Sequence, residues 1–208
     1  MYGREYGGRD LTFEASGGLI HGTLVLQDRE TDSYWPIMAG RSIFGKLAGT
    51  DMKELAVARK VRWRDWRSEY PDTGVLSVDG REHQASGYDR YFASAEGFRG
   101  LEAADRRLQT KAPVYAFRID GQPFAVAHAT FFGGRSFDVR GSKLFFQRSP
   151  NAPLFESTVA VRMDTDDCSF DAASAGFSPA GCATPLTGFD TFWYSWSLNN
   201  PETAVVTP

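Results

Sequence analysis

Three histidines are the side chains of this 208-residue sequence best suited to acid–base chemistry or metal binding. His128 lies on the same face of a predicted strand as Phe124 and Val126, which favours a hydrogen-bonded core histidine, with a functional histidine as the alternative. His21 lies in a glycine-rich turn where a backbone can approach a ligand closely, and a solvent-exposed turn histidine is the plainer interpretation. His83 lies in a polar segment and is expected to be exposed.

The two cysteines, Cys168 and Cys182, enclose a segment rich in glycine, alanine and serine. A disulfide between them would close a loop of about 15 residues and stabilise the fold by about 3 kcal/mol in the chain-entropy model. Two unrelated thiols in a reducing compartment are the alternative. Neither a C-x-x-C pair nor a histidine pair at ligand spacing occurs, so no metal site is predicted.

No other motif in the sequence predicts a reaction. There is no nucleophile elbow, phosphate-binding loop or dinucleotide-binding glycine pattern, so catalytic residues stay unknown and no cofactor is expected. The acidic residues at 164–167 resemble the start of a calcium loop but lack its glycine and distal glutamate, and a solvated loop is the expected structure.

The elements that must position these side chains are mainly strands. Apolar residues recur with a period of two, and the high counts of aromatic residues and glycine are typical of strands joined by turns. We therefore predict a mainly β (α+β) fold with two or three short helices. The formal net charge of −3 gives no basic surface for nucleic acid, and no apolar run approaches the roughly 20 residues of a membrane span.

Individual elements follow from local patterns. The clearest is a hairpin over residues 114–128, which turns at Asp120-Gly121. Residues 74–78 read as a strand, and residues 11–15 as a strand that ends at the following glycine pair. A short helix over residues 63–70 is expected to stop at Pro71, and helical spacing of leucine and alanine predicts another over 101–111.

An internal repeat is the strongest signal in the chain. The pattern W-x-x-W-x4-P-[DE]-T-x-V begins at Trp63 and again at Trp193, 130 residues later, and the two copies contain four of the five tryptophans. The pattern predicts a duplicated β-rich unit, with a first repeat over residues 1–112 and a second over 113–208. We expect Trp63, Trp66, Trp193 and Trp196 to pack in the core, with an aromatic ligand platform as the alternative.

Four segments, the last of them within the first copy of the tryptophan pattern, together resemble the prokaryotic family known as domain of unknown function 3179. They are residues 11–19 (LTFEASGGL), 28–35 (DRETDSYW), 45–50 (GKLAGT) and 66–73 (WRSEYPDT). The resemblance covers nearly the whole chain. It implies a family that is often exported or membrane-anchored and has no established activity.

The beginning of the chain is expected to be incomplete. The first repeat has 10 residues before Leu11, where the second repeat has a hairpin at 114–132, and members of the family often have a leader, a hairpin and a Tyr-Cys segment there. No signal peptide is predicted within the chain itself, because no charged leader precedes an apolar segment.

The sequence and the resemblance together predict an extracytoplasmic domain that binds or assembles with an unknown partner and is not an enzyme. The alternative is a metal-handling or redox accessory protein, or an enzyme, whose key cysteine lies upstream of this chain. Whether the protein catalyses a reaction therefore stays open at this stage.

Overall fold

The computed structural model describes residues 2–55, 60–77, 79–80, 88–152, 156–172, 174 and 176–208. Strands hold 39% of these described residues and helices 13%, which confirms the mainly β (α+β) class. None of the helices in these ranges is long and apolar enough to cross a membrane.

The strands are β1 (Glu5–Tyr6), β2 (Arg9–Asp10), β3 (Phe13–Ile20), β4 (Thr23–Asp28), β5 (Tyr34–Pro36), β6 (Pro113–Ile119), β7 (Gln122–Ala127), β8 (Arg135–Val139), β9 (Ser142–Gln147), β10 (Val159–Met163), β11 (Ser169–Asp171), β12 (Gly176–Ser178), β13 (Ala183–Pro185), β14 (Gly188–Phe192) and β15 (Ala204–Val206). The α-helices are α1 (Trp63–Glu69), α2 (Asp89–Ala93) and α3 (Trp193–Asn199), and short 3₁₀ turns cover Phe98–Gly100 and His128–Thr130.

Two four-stranded sheets and one helix form the main core. The central sheet has the order β14-β6-β7-β15, and the second has the order β13-β10-β9-β8. Aromatic side chains fill the space between the sheets, and the ring centroids of Phe117 and Phe146 lie 5.6 Å apart. Helix α3 covers the opposite face of the central sheet, where Trp193 and Trp196 pack on small residues such as Ala116 and Ala125.

The hairpin of β6 and β7 confirms the turn predicted from its sequence. Asp120 and Gly121 have φ angles of 50° and 78°, as a two-residue hairpin turn requires. Successive residues of β6 point to opposite sheet faces, so Tyr115 and Phe117 face the second sheet while Val114 and Ala116 lie under α3. Both faces of this hairpin are therefore buried.

The first half of the chain contributes its own sheets. Strands β3, β4 and β5 form a three-stranded antiparallel sheet, and β1 pairs with β2. No sheet among the described strands combines residues 1–112 with residues 113–208. This division is the one expected for two repeats. The duplication itself stays a prediction.

Arg118 joins the two halves. Its Nη1 donates to Glu54 Oε1 at 2.7 Å, and its Nη2 donates to Asn200 Oδ1 at 2.7 Å and to the carbonyl oxygen of Ala39 at 3.1 Å. The guanidinium carbon lies 4.7 Å from the ring centre of Trp196, so the cation stacks on α3.

The two copies of the tryptophan pattern form the same local structure in different surroundings. Helices α1 and α3 each begin at the first tryptophan, and their C-caps have nearly the same backbone angles, with φ −131° and ψ 76° at Tyr70 and φ −139° and ψ 71° at Asn200. Trp193 is fully buried, whereas Trp63 is 49% exposed, so the first tryptophan of the pattern has a different environment in each copy. Trp66 is half-buried and donates from Nε1 to Thr73 Oγ1 at 2.9 Å.

The segments that follow these two helices differ. Residues 204–206 form β15, which pairs in parallel with β7. Residues 74–77 are not a strand, so the strand predicted there is wrong over the described residues. Residue 78 lies outside the described residues. A β conformation needs a neighbouring strand for its hydrogen bonds, which β7 supplies for β15.

The helix predicted over 101–111 and the strand end predicted at Gly17-Gly18 are also wrong. Residues 101–111 are not helical, because the carbonyl groups of Asp105, Thr110 and Ala112 accept hydrogen bonds from the beginning of α3 instead of from their own segment. Strand β3 continues through Gly17 and Gly18, where its register to β4 shifts between Ala15 and Leu19. The glycine pair therefore makes the strand irregular without ending it.

Trp193→Ala and Trp63→Ala form a matched pair that separates helix formation from burial. We expect Trp193→Ala to lower the free energy of unfolding by about 3–5 kcal/mol, because it leaves a cavity against the central sheet. Trp63→Ala should cost less than about 1 kcal/mol, because its side chain is half exposed. Urea unfolding followed by circular dichroism measures both values, and equal losses would contradict this packing.

Gly45→Ala and Gly49→Ala test a close approach in the GKLAGT segment. The two glycines have φ angles of 89° and 87°, so each alanine would cost about 1–2 kcal/mol in backbone strain. A Cβ on Gly45 would also lie 2.4 Å from the carbonyl oxygen of Asp32, while one on Gly49 meets nothing within 4 Å. Thermal unfolding should show a clearly larger loss for Gly45→Ala, and similar losses would contradict the contact.

Candidate functional site

A buried carboxylate, Asp190, organises the candidate site. It lies at the middle of β14, opposite Tyr115 of β6, and its side chain is 4% exposed. Oδ1 accepts hydrogen bonds from His128 Nε2 at 2.8 Å and from Thr158 Oγ1 at 2.5 Å. Oδ2 accepts one from the backbone N–H of Thr158 at 2.9 Å. A buried charge with this many donors is satisfied rather than orphaned.

His128 reaches Asp190 from a turn. Strand β7 ends at Ala127, and His128 begins the following 3₁₀ turn, so its placement on the strand was wrong by one residue. Thr130 Oγ1 donates to the carbonyl oxygen of Ala127 at 2.7 Å and fixes this turn. The ring of Phe131 packs edge-on against the imidazole, with 5.5 Å between the ring centroids, so the histidine lies between a carboxylate and an aromatic ring.

Arg148 balances the charge of Asp190. It follows β9, its side chain is 2% exposed, and its Nη1 lies 3.7 Å from Asp190 Oδ1. The same nitrogen also donates to the carbonyl oxygen of Glu156. The second sheet therefore meets the central sheet at an Arg–Asp pair that is removed from water.

These donors determine the protonation of Asp190. Burial alone raises the pKa of the carboxyl, but the hydrogen bonds from His128 and Thr158 together outweigh burial and hold the pKa below its usual value. Because an ionised carboxylate only accepts hydrogen bonds, Nε2 of His128 carries the proton of their shared bond.

A pocket of about 210 Å³ opens beside this pair. His128, Asp190 and Thr191 line it on one side. Its apolar walls are Tyr91, Phe92, Pro113 and Phe192, and Lys60 also lines it. Two hydrogen bonds to Ser157 fix the backbone of Lys60. The Lys60 N–H donates to Ser157 Oγ at 2.5 Å, and the Lys60 carbonyl oxygen accepts from the Ser157 N–H at 2.8 Å.

Helix α2 supplies Tyr91 and Phe92 to the aromatic wall and is fixed by Lys111 and Tyr194. Lys111 Nζ donates to the carbonyl oxygens of Tyr91 and Ser94 and lies 4.1 Å from the ring centre of Tyr91. Tyr91 Oη and Tyr194 Oη are 2.9 Å apart. Burial lowers the pKa of Lys111, and burial together with the Tyr194 hydrogen bond raises the pKa of Tyr91.

The family model described as "Protein of unknown function (DUF3179)" matches residues 1–203. The chain belongs to this family. Neither a curated protein nor a solved structure matches the chain.

The DRETDSYW segment of this DUF3179 chain contains a second buried carboxylate, Asp28, whose hydrogen-bond donors all come from the same segment. Asp28 accepts hydrogen bonds from the Thr31 N–H at 2.6 Å, the Ser33 N–H at 3.2 Å and Trp35 Nε1 at 2.8 Å. Burial raises the pKa of Asp28, but these hydrogen bonds outweigh it and hold the pKa low. The segment folds a turn around its own carboxylate, which is a structural role.

The other predicted residues do not join the pocket. His21 is exposed in the turn between β3 and β4 with a φ of 49°, and His83 lies outside the described residues. Trp196 is fully buried under Arg118. Among the described ranges, no group of three or more His, Cys, Asp or Glu side chains could hold a metal ion.

A disulfide joins Cys168 and Cys182, the pairing that the sequence left open. The Cα atoms are 5.5 Å apart, and both side chains are buried beside Phe145, Val161 and Met163 on the outer face of the second sheet. The bridge ties the hairpin of β11 and β12 to the sheet and lies away from the His128 pocket.

Sequence reasoning found His128 and missed its partners. Asp190 carried a usable signal, because a lone carboxylate between Phe189 and Phe192 interrupts an apolar strand just before α3. Thr158, Arg148 and Lys60 carry no such signal, since each reaches the site through a contact between distant segments.

Asp190→Asn should change both the stability and its dependence on pH. In the wild-type protein the pKa of Asp190 is lower in the folded state than its value of about 3.9 in the unfolded state. The ionised carboxylate therefore stabilises the fold at pH values above about 3.9, and this stabilisation is lost as the pH falls through the lower pKa of the folded state. We expect the variant to lose about 3–5 kcal/mol at neutral pH, because Arg148 is left buried without its anion.

The variant should also show a shallower fall in stability below pH 4. Asp138→Asn on β8, where the side chain is exposed, is the control and should follow wild type. Urea unfolding from pH 2 to 7 measures both effects. Parallel curves for Asp190→Asn and wild type below pH 4 would contradict the assignment.

Proposed function

We propose that this chain is an extracytoplasmic binding domain that holds a small ligand in the pocket beside His128. The observation that carries the proposal is the buried His128–Asp190 pair at the wall of a pocket whose other walls are largely aromatic. Apolar pockets with a few fixed polar groups are typical of ligand sites in proteins.

The contacts of Asp190 support a binding role for His128. The Nε2 proton is committed to Asp190, which fixes both the tautomer and the orientation of the ring. Nδ1 is then the nitrogen that a ligand can address. A polar atom with a fixed direction orients a bound ligand, and the aromatic walls favour a ligand with apolar surface over water.

The disulfide supports a location outside the cytoplasm. Both cysteines of the chain are used in it, and such bridges persist mainly in oxidising compartments. Export is also what the family resemblance implies.

A fragment screen by ligand-observed NMR tests the pocket. Thr191 lines the pocket from β14, so Thr191→Phe should fill it and abolish binding of the fragments that bind wild type. Thr184→Phe, on an exposed position of β13, is the matched control and should keep them. Melting temperatures confirm that both variants fold.

Two results would overturn the proposal. One is a screen in which no fragment binds wild type. The other is a set of fragments that bind Thr191→Phe as tightly as they bind wild type, because they would then occupy another surface.

A further inference from the structure

The charges around the His128 pocket point to the class of ligand, an inference that rests on the function proposed above. Asp190 contributes no net charge to the pocket, because Arg148 neutralises it from 3.7 Å and both side chains are almost fully buried. Its two oxygens are also occupied by His128 and Thr158. Asp190 is therefore unsuited to bind a cationic ligand.

The remaining charge of the pocket is positive. Lys60 lines the pocket, and no carboxylate in the described part of the chain pairs with its ammonium group. Lys111 Nζ lies 5.0 Å from the ring centre of Phe192, which lines the same pocket, and its own partners are uncharged carbonyl groups. Lys60 is thus the cation that lines the pocket itself, and its field favours a negatively charged ligand.

His128 can complete the recognition of an anion. Nε2 donates to Asp190, and a second proton on Nδ1 would let the same ring donate to a bound anion. Lys60 and Nδ1 would then provide two donors to one carboxylate.

The size and walls of the pocket describe the rest of the ligand. Its volume of about 210 Å³ is below the roughly 300–1,000 Å³ of pockets for drug-sized molecules. Tyr91, Phe92 and Phe192 offer aromatic faces and edges to an apolar body. We propose that the pocket binds a small monocarboxylate with one aromatic ring, the carboxylate between Lys60 and His128 and the ring against the aromatic wall.

Benzoate, benzamide and benzylamine are the probes that test this assignment. They share a ring and differ in charge, and NMR titration of the whole chain at low salt gives their dissociation constants. We expect benzoate to bind at least about tenfold more tightly than benzamide, the difference expected for a hydrogen bond to a charged group. Benzylamine should bind more weakly than benzamide.

Lys60→Met keeps the length of the side chain and removes its charge. This variant should weaken benzoate binding about tenfold and leave benzamide binding within about twofold. Lys46→Met, on an exposed loop of the first half, is the matched control and should bind benzoate like wild type.

The possible failures are distinguishable. If benzamide binds as tightly as benzoate in a pocket that Thr191→Phe blocks, the ligand class is wrong and the pocket stands. An unchanged benzoate dissociation constant in Lys60→Met overturns the ligand class in the same way. If none of the three probes binds and the fragment screen also finds no ligand, the proposed function and the ligand class fail together.

Discussion

The burial of one carboxylate between two sheets is the constraint on which the rest of the structure depends. An unpaired anion at that depth would cost several kcal/mol, so the fold must bring donors to Asp190 from outside its own strand. It does so with a turn after β7, the segment before β10 and the end of β9, which supply His128, Thr158 and Arg148. The packing of the two sheets and the orientation of the histidine at the pocket wall are thus set by the same carboxylate.

The parts of the fold that could be predicted from the sequence are those determined by neighbouring residues. The alternation of β6, the Asp120-Gly121 turn and the beginning and end of α1 depend on a few adjacent side chains and backbone angles. The helix predicted at 101–111 was wrong because its carbonyl groups bind α3, almost 90 residues later in the chain. The partners of His128 were missed for the same reason, since Thr158 and Arg148 approach it only when the two sheets pack.

The paired helices show this limit within one molecule. The same tryptophan pattern begins and ends α1 and α3 at equivalent residues, yet only α3 is covered by a sheet. Local sequence fixes the helix, and distant segments decide what it packs against. Arg118 illustrates the second kind of contact, because one guanidinium contacts α3, the loop after β5 and Glu54.

The unequal burial of the tryptophans gives the protein an internal optical contrast. Trp35, Trp193 and Trp196 are shielded from water, whereas Trp63 is half exposed. A collisional quencher dissolved in the buffer would reach the indole of Trp63 and leave the emission of the three shielded rings largely intact. In the native protein the quenched emission would then come mainly from Trp63, with a smaller part from half-buried Trp66, while the unquenched emission comes from Trp35 and the second copy of the tryptophan pattern.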